Sequence, residues 1–265
     1  MNTIISTLIV SALLALILGL LLGFFKKIFY VPVDEKVAAI RECLPGANCG
    51  GCGYPGCDGY AAAVAAGEAP VNKCSAGGEN AANAIGKVMG VKAESVRKVA
   101  IAACRGSKEC AAIKGFYNGV KTCKAVKLAI NGNKMCSFGC IGYGDCVAAC
   151  KFDAISIGED GLPEIDKTKC TGCGMCAKAC PQFILTTVAT DKKVAFVRCN
   201  NKGPKGPHVI KNCSLACIKC GICEKTCTND AIHLVNNLPL VDAEKCTGCG
   251  DCAAKCPKKV IQILG

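Results

Sequence analysis

The sequence predicts an α+β chain: one N-terminal transmembrane helix, a small cysteine-rich module, and two tandem cysteine-rich repeats of one design. Three observations carry this reading. Residues Asn2 to Phe25 form an uncharged, apolar run. The 265 residues hold 26 Cys but no Trp, eight Phe and five Tyr, so large rings do not build the core. Beyond residue 98 the cysteines fall in two matching series.

The apolar run is long enough to span a bilayer. Its 24 residues, at about 1.5 Å each, make roughly 36 Å of helix against about 30 Å of hydrocarbon. Lys26 and Lys27 follow at once, and the positive-inside rule then keeps the C-terminal side cytoplasmic. A cleaved signal peptide would carry its basic residues ahead of a shorter apolar core. The expectation is a single-pass anchor in the cytoplasmic membrane, residues 1–27, with the bulk of the chain inside. Cytoplasmic cysteines stay reduced, which favours metal ligands over disulfides.

Cysteine runs such as Cys170-x2-Cys173-x2-Cys176-x3-Cys180-Pro181 point the same way. Neighbours so close cannot all meet disulfide geometry, but they can ligate a metal cluster. The composition excludes a disordered chain, a secreted disulfide scaffold and an ordinary enzyme core. The formal charge of +12 suggests an acidic partner, nucleic acid or a membrane surface. It counts each Cys as a neutral thiol, however. A four-iron cluster with four thiolates carries about −2, so five contribute about −10 and leave the loaded chain near about +2. The basic excess is then counter-charge, and no nucleic-acid partner is expected.

The first module covers residues 34–80. Asp34 can cap a short helix through Arg41. The Gly- and Pro-rich loop Leu44-Pro-Gly-Ala-Asn-Cys49-Gly-Gly-Cys52-Gly-Tyr-Pro-Gly-Cys57 follows, then an Ala-rich helix, then Cys74. Three ligands on one loop and a fourth beyond a helix can surround one [4Fe-4S] cube. Zinc accepts the same ligands but usually between two separated C-x2-C knuckles. Cys43 reads as a buried or idle thiol. Residues 81–97 read as a helical linker.

Self-comparison shows a duplication. Lys98-Val-Ala-Ile-Ala-Ala-Cys104 matches Lys193-Val-Ala-Phe-Val-Arg-Cys199. Cys136-x3-Cys140-Ile matches Cys213-x3-Cys217-Ile, and Cys146-x3-Cys150 matches Cys223-x3-Cys227. Lys169-Cys-Thr-Gly-Cys-Gly-Met-Cys176-x3-Cys-Pro181 matches Lys245-Cys-Thr-Gly-Cys-Gly-Asp-Cys252-x3-Cys-Pro257. The first copy, 98–190, carries 18 extra residues with Cys110 and Cys123; the second runs 191–265.

Each copy has two four-cysteine motifs joined through a strand–turn–strand segment, and so resembles a bacterial two-cluster ferredoxin. In that family the fourth Cys of C-x2-C-x2-C-x3-C-P crosses to the neighbouring cluster. The fold expected is therefore α+β: one transmembrane helix, a small iron–sulfur module and two tandem bacterial-type two-cluster ferredoxin domains. The resemblance implies one cluster on Cys170, Cys173, Cys176 and Cys150. Another falls on Cys246, Cys249, Cys252 and Cys227, and a third on Cys217, Cys220, Cys223 and Cys256. In the fourth, Tyr143 stands where Cys220 stands in the other copy. Cys140, Cys146 and Cys180 remain, and either Cys136 supplies the missing sulfur or the site holds three irons. Cys136 is favoured, which reopens Cys213 as a replacement for Cys220. Five [4Fe-4S] clusters are expected. A sixth could form from Cys104, Cys110 and Cys123 plus one borrowed ligand, against the plainer reading of buried thiols.

No Walker loop, dinucleotide fingerprint or catalytic constellation is present, and His208 and His233 read as solvated. The chain is expected to have no bond-making active site. One transmembrane helix, the Cys49/Cys52/Cys57/Cys74 module and a ferredoxin tail, in this order, resemble the B subunit of Rnf complexes, in the long form with duplicated ferredoxin domains. The resemblance implies an electron-transfer subunit of an ion-translocating ferredoxin:NAD+ oxidoreductase. Its partners would be reduced ferredoxin, a flavin- and NAD-binding subunit and integral membrane subunits. A polyferredoxin subunit of another membrane hydrogenase or dehydrogenase, or a membrane-tethered cluster store or redox sensor, are the other readings.

Overall fold

The computed structural model of the chain describes residues 2–29 and 34–265. Met1, counted with the anchor, lies outside them. Helix α1 (Asn2–Ile28) has Lys26 and Lys27 in its last turn. Its apolar side chains from Ile4 onward are exposed, so it shares no core with the rest. Among the described residues it is the one helix long and apolar enough to cross a membrane.

Asp34 starts α2 (Glu35–Glu42), its carboxylate accepting from the Lys36 amide at 2.8 Å. Helices α3 (Gly56–Ala65) and α4 (Gly78–Met89) complete the first module. Ile40, Tyr60, Val64 and Ile85 are fully buried together. The expectation of a linker over 81–97 is corrected in its first half. Ala81, Ala82 and Ile85 are buried, and Ile85 sits in the module's core, so α4 belongs to the module. Gly90 ends α4 in the left-handed conformation, at φ 69°.

The first repeat comprises β1 (Lys98–Ala102), α5 (Cys123–Ile130), α6 (Asp145–Ala148), β2 (Ile155–Ile157), β3 (Pro163–Ile165), α7 (Met175–Ala179) and β4 (Leu185–Ala189). Its first strand pairs antiparallel with its last, Lys98 opposite Ala189, and β2 pairs with β3, Ile155 opposite Ile165. The second comprises β5 (Val194–Val197), α8 (His208–Asn212), α9 (Ile222–Thr226), β6 (Ile232–Val235), β7 (Leu238–Val241), α10 (Asp251–Ala254) and β8 (Ile261–Leu264). The pairing recurs: β5 with β8 and β6 with β7. Asn236 and Asn237, at φ 50° and 60°, make the two-residue turn between β6 and β7.

Sulfur replaces aromatic carbon in both cores. Cys140, Cys146, Cys170 and Cys176 are buried with Val99, Ile155, Ile184 and Leu185 in the first. Cys199, Cys213, Cys217, Cys223 and Cys252 are buried with Val197, Val209, Ile232 and Val260 in the second. The units touch. Lys151 Nζ donates to the Asn48 carbonyl at 3.1 Å, joining the first module to the first repeat. The Ala112 amide donates to the Asn212 carbonyl at 3.0 Å, and the Ser214 amide to the Cys110 carbonyl at 2.9 Å, joining the repeats.

Candidate metal centres

The local chain explains how the sulfurs are aimed. In both repeats the loop before each third cysteine turns on a glycine: Gly144, Gly174, Gly221 and Gly250, at φ between 76° and 93°. Each opens the short helix carrying Cys146, Cys176, Cys223 or Cys252. A Cβ is strained in that conformation, so the turn asks for glycine.

Four cysteines ring a hollow at each of several places. In the first module Cys49, Cys52, Cys57 and Cys74 surround about 350 Å3. Asn48, itself at φ 45°, fixes the loop by accepting from the Cys57 amide at 2.8 Å. The Gly77 amide donates to Cys74 Sγ at 3.4 Å. In the second repeat Cys217, Cys220, Cys223 and Cys256 surround about 360 Å3. Cys227, Cys246, Cys249 and Cys252 surround about 310 Å3. Of the two alternatives Cys213 and Cys220, Cys220 stands on this ring and Cys213 does not.

Cys150, Cys170 and Cys176 share the first repeat's core, and Cys173 stands close enough to Cys176 to act on its charge. The Ala100 amide donates to Cys170 Sγ at 3.2 Å, and its duplicate, Ala195, donates to Cys246 Sγ at 3.4 Å.

The remaining ring in the first repeat corrects the expectation from spacing. Cys123, not Cys136, joins Cys140, Cys146 and Cys180 around about 340 Å3. Thr122 caps α5 by accepting from the Ala125 amide at 3.2 Å. Asp145 then accepts from the Cys123 amide at 2.7 Å and the Lys124 amide at 3.0 Å. The insertion thus folds back and delivers a sulfur where Tyr143 provides none. Tyr143 itself packs against Cys123, Val126 and Ile141.

Cys136 goes elsewhere. With Cys104, Cys199 and Cys213 it lines a hollow of about 390 Å3 between the repeats. The extra group suggested by sequence, Cys104 with Cys110 and Cys123, is therefore not assembled. Cys110 instead bonds Ser107 Oγ at 3.0 Å and the Arg105 carbonyl at 3.2 Å. Cys43 donates to the Ala39 carbonyl at 3.3 Å, within its own helix turn. His233 lies on the open face of β6, near Glu224 and Asp230.

These rings fit iron–sulfur clusters in chemistry. Among the described residues no group of three or more His, Cys, Asp or Glu is placed to hold a single metal ion. The sulfurs stand instead around hollows, with backbone amides donating to them, as cluster thiolates require. Gln182 Nε2 is buried beside the Cys123 ring without a hydrogen-bond partner, a donor suited to an inorganic sulfide. Burial pushes the Cys140 thiol up to about 12, with Cys104 adding to it. Burial likewise pushes Cys176 up to about 12, helped by Cys170 and Cys173. Such thiols keep their protons until a metal displaces them.

Rings of four thiols on ferredoxin-type repeats, behind a helix able to span a bilayer, define a membrane-anchored polyferredoxin. Residues 44–76 match the family described as "Putative Fe-S cluster". Residues 138–195 and 216–260 match one family described as "4Fe-4S dicluster domain", and residues 169–232 match another of the same description. The B subunit of the Na(+)-translocating ferredoxin:NAD(+) oxidoreductase complex of Acetobacterium woodii is 44% identical over 89% of this chain and 70% of its own. The proton-translocating counterpart of Clostridium ljungdahlii is 42% identical over 100% and 94%. The B subunit of the ion-translocating oxidoreductase complex of Methanosarcina acetivorans is 39% identical over 89% of each. The chain belongs to this family, the B subunits of Rnf-type ion-translocating oxidoreductase complexes, and is an electron-transfer iron–sulfur subunit.

Proposed function

We propose that this chain accepts electrons from reduced ferredoxin and relays them, one at a time, toward the NAD+-reducing and membrane subunits of its complex. Five rings hold [4Fe-4S] clusters in this reading: Cys49/Cys52/Cys57/Cys74, Cys150/Cys170/Cys173/Cys176, Cys123/Cys140/Cys146/Cys180, Cys217/Cys220/Cys223/Cys256 and Cys227/Cys246/Cys249/Cys252. The clusters supply the redox chemistry; the chain's own residues position them, donate to their sulfurs and exclude water. Domains 98–190 and 191–265 act as two ferredoxin units, and the helix at 1–27 is a single-pass anchor with the rest on the cytoplasmic side. Lys26 and Lys27 support that sidedness.

The observation that carries the relay is that the first module's cysteine loop lies on the ferredoxin repeat, Gly51 against Cys173. Clusters placed in separate, non-touching units would suit storage; contact at the ligand loops suits transfer. The test is Cys49→Ala in the intact complex. Losing one thiolate empties or degrades that cube. Membranes given reduced ferredoxin should still show bleaching of the other clusters, yet form no NADH. Full NADH formation despite proven loss of that cluster would take the first module off the path.

A further inference from the structure

Lys219 breaks a rule that the other ligand loops of the repeats keep. It stands between Cys217 and Cys220, where the matching loops have Gly142, Gly172 and Gly248. Those glycines lie at φ between 65° and 89°, and Lys219 takes the same left-handed conformation, at φ 59°. A residue with a Cβ is strained there, so its retention points to a use. At the three glycines a Cβ would meet a neighbour at 2.9 Å or less. The second repeat instead makes room for a long side chain and buries it, Lys219 being 4% exposed. Its Nζ donates to the carbonyls of Gly203 and Pro204, the latter at 3.3 Å. Those acceptors are neutral. Burial works against the ammonium charge, and Cys217 is close enough to favour it.

The first repeat reaches the same result by another route. Among the described residues, Lys134 and Lys219 are the buried charged side chains. The duplication does not match them: Lys134 lies six residues before Cys140, and Lys219 two residues after Cys217. Yet Cys140 and Cys217 are matched cysteines, and each has one of these cations near it. Both ammonium groups are held by carbonyls of the chain just beyond the matched Cys104 and Cys199: Gly106 for Lys134, and Gly203 and Pro204 for Lys219. Among the described residues no buried cation stands on the sister ring of Cys227, Cys246, Cys249 and Cys252.

We infer that Lys219 is a tuning residue. It holds the potential of the cluster on Cys217, Cys220, Cys223 and Cys256 above that of its sister, so an electron entering the second repeat settles there. A buried cation is little screened and favours the more negative, reduced state of a cluster. The electron that reduces this cluster leaves the sister cluster oxidised, and no bond or proton need move. The inference rests on the reading of these rings as [4Fe-4S] sites.

The test is a redox titration of the full-length chain, purified anaerobically in detergent and followed by electron paramagnetic resonance. Cys220→Ala identifies the component that belongs to this cluster, by its loss or conversion. In Lys219→Met and Lys219→Gly that component should become harder to reduce, by on the order of tenfold in its one-electron equilibrium, or about 59 mV. Lys219→Arg should keep it near the wild-type value. Iron content should stay at the wild-type level in all three. Glycine already serves this position in three other loops, so Lys219→Gly keeps the test decisive if Lys219→Met fails to fold. An unmoved component in the Met and Gly variants would overturn the inference and leave Lys219 as an anchor for the Gly203 carbonyl. So would an equal shift in Lys219→Arg, which would trace the change to packing rather than charge. Loss of the component from both the Met and Gly variants would make Lys219 a requirement for building the site and overturn tuning. Little iron in the wild-type chain would overturn the cluster reading of the rings itself, a result distinct from all of these.

Discussion

A Cβ placed on Gly51 would stand 2.6 Å from the carbonyl oxygen of Cys173 and 3.0 Å from its Cβ. One ligand loop is thus pressed against another, backbone to backbone, across the boundary between the first module and the first repeat. Lys178 reaches over the same boundary to the Gly50 carbonyl at 3.4 Å.

The first prediction follows from that contact. Gly51→Ala should leave the iron content unchanged, because no thiolate is removed. It must push the loops apart, at a cost of about 1–3 kcal/mol if they stay docked. The expected result is slower NADH formation from reduced ferredoxin with normal cluster bleaching. An unchanged rate would show that transfer does not depend on this approach.

The second concerns Cys123. Cys123→Ala should leave Cys140, Cys146 and Cys180 with a three-iron cluster, seen by electron paramagnetic resonance of the oxidised protein. The double variant Cys123→Ala/Tyr143→Cys should restore a four-iron centre, because Tyr143 occupies the place that Cys220 has in the second repeat. If Cys123→Ala leaves spectrum and iron count untouched, that ring has another fourth ligand.

How much is legible in the sequence depends on how local the chemistry is. The runs beginning at Cys49, Cys170, Cys217 and Cys246 are read from spacing because three ligands share one loop. Cys123 escapes such reading because its ring is closed by a tertiary event, α5 docking on Asp145. Spacing favours the nearer Cys136. The ring of Cys104, Cys136, Cys199 and Cys213 escapes it for a stronger reason: its cysteines come from four separate segments and two repeats. A signal does exist. The leftover cysteines of the duplication include two matched pairs, enough for one pseudo-symmetric site. The linker cannot be told from a packed helix by pattern, because α4 reads as helix either way, and only packing shows Ile85 inside the module.

A third prediction concerns the anchor. Apolar side chains of α1 are exposed from Ile4 to Phe25, and the cores of the module and repeats use none of them. Deleting residues 1–29 should therefore give a soluble chain with its iron intact and still reducible by ferredoxin. Membranes carrying it should lose NADH formation as the chain washes off. Loss of iron on truncation would mean that α1 supports the fold as well as the attachment.

The last prediction concerns the buried charge beside Cys140, a member of the Cys123 ring. Lys134 is 5% exposed and its Nζ donates to the Gly106 carbonyl at 2.6 Å. The same cation lies close enough to Cys140 to favour its thiolate. A fixed cation so near a cluster stabilises the reduced, more negative state, and net charge is one of the determinants of cluster potential. Lys134→Met should lower the potential of that cluster by on the order of tens of millivolts, whereas Lys134→Arg should hold it near the wild-type value. Losing the donor to a buried carbonyl also costs about 1–3 kcal/mol, so a lower melting temperature is expected alongside. Stability alone does not separate charge from structure, but the potential does. A redox titration followed by electron paramagnetic resonance, on both variants with iron content verified, measures it. Equal potentials in the Met and Arg variants would mean that Lys134 serves only to hold Gly106 in place.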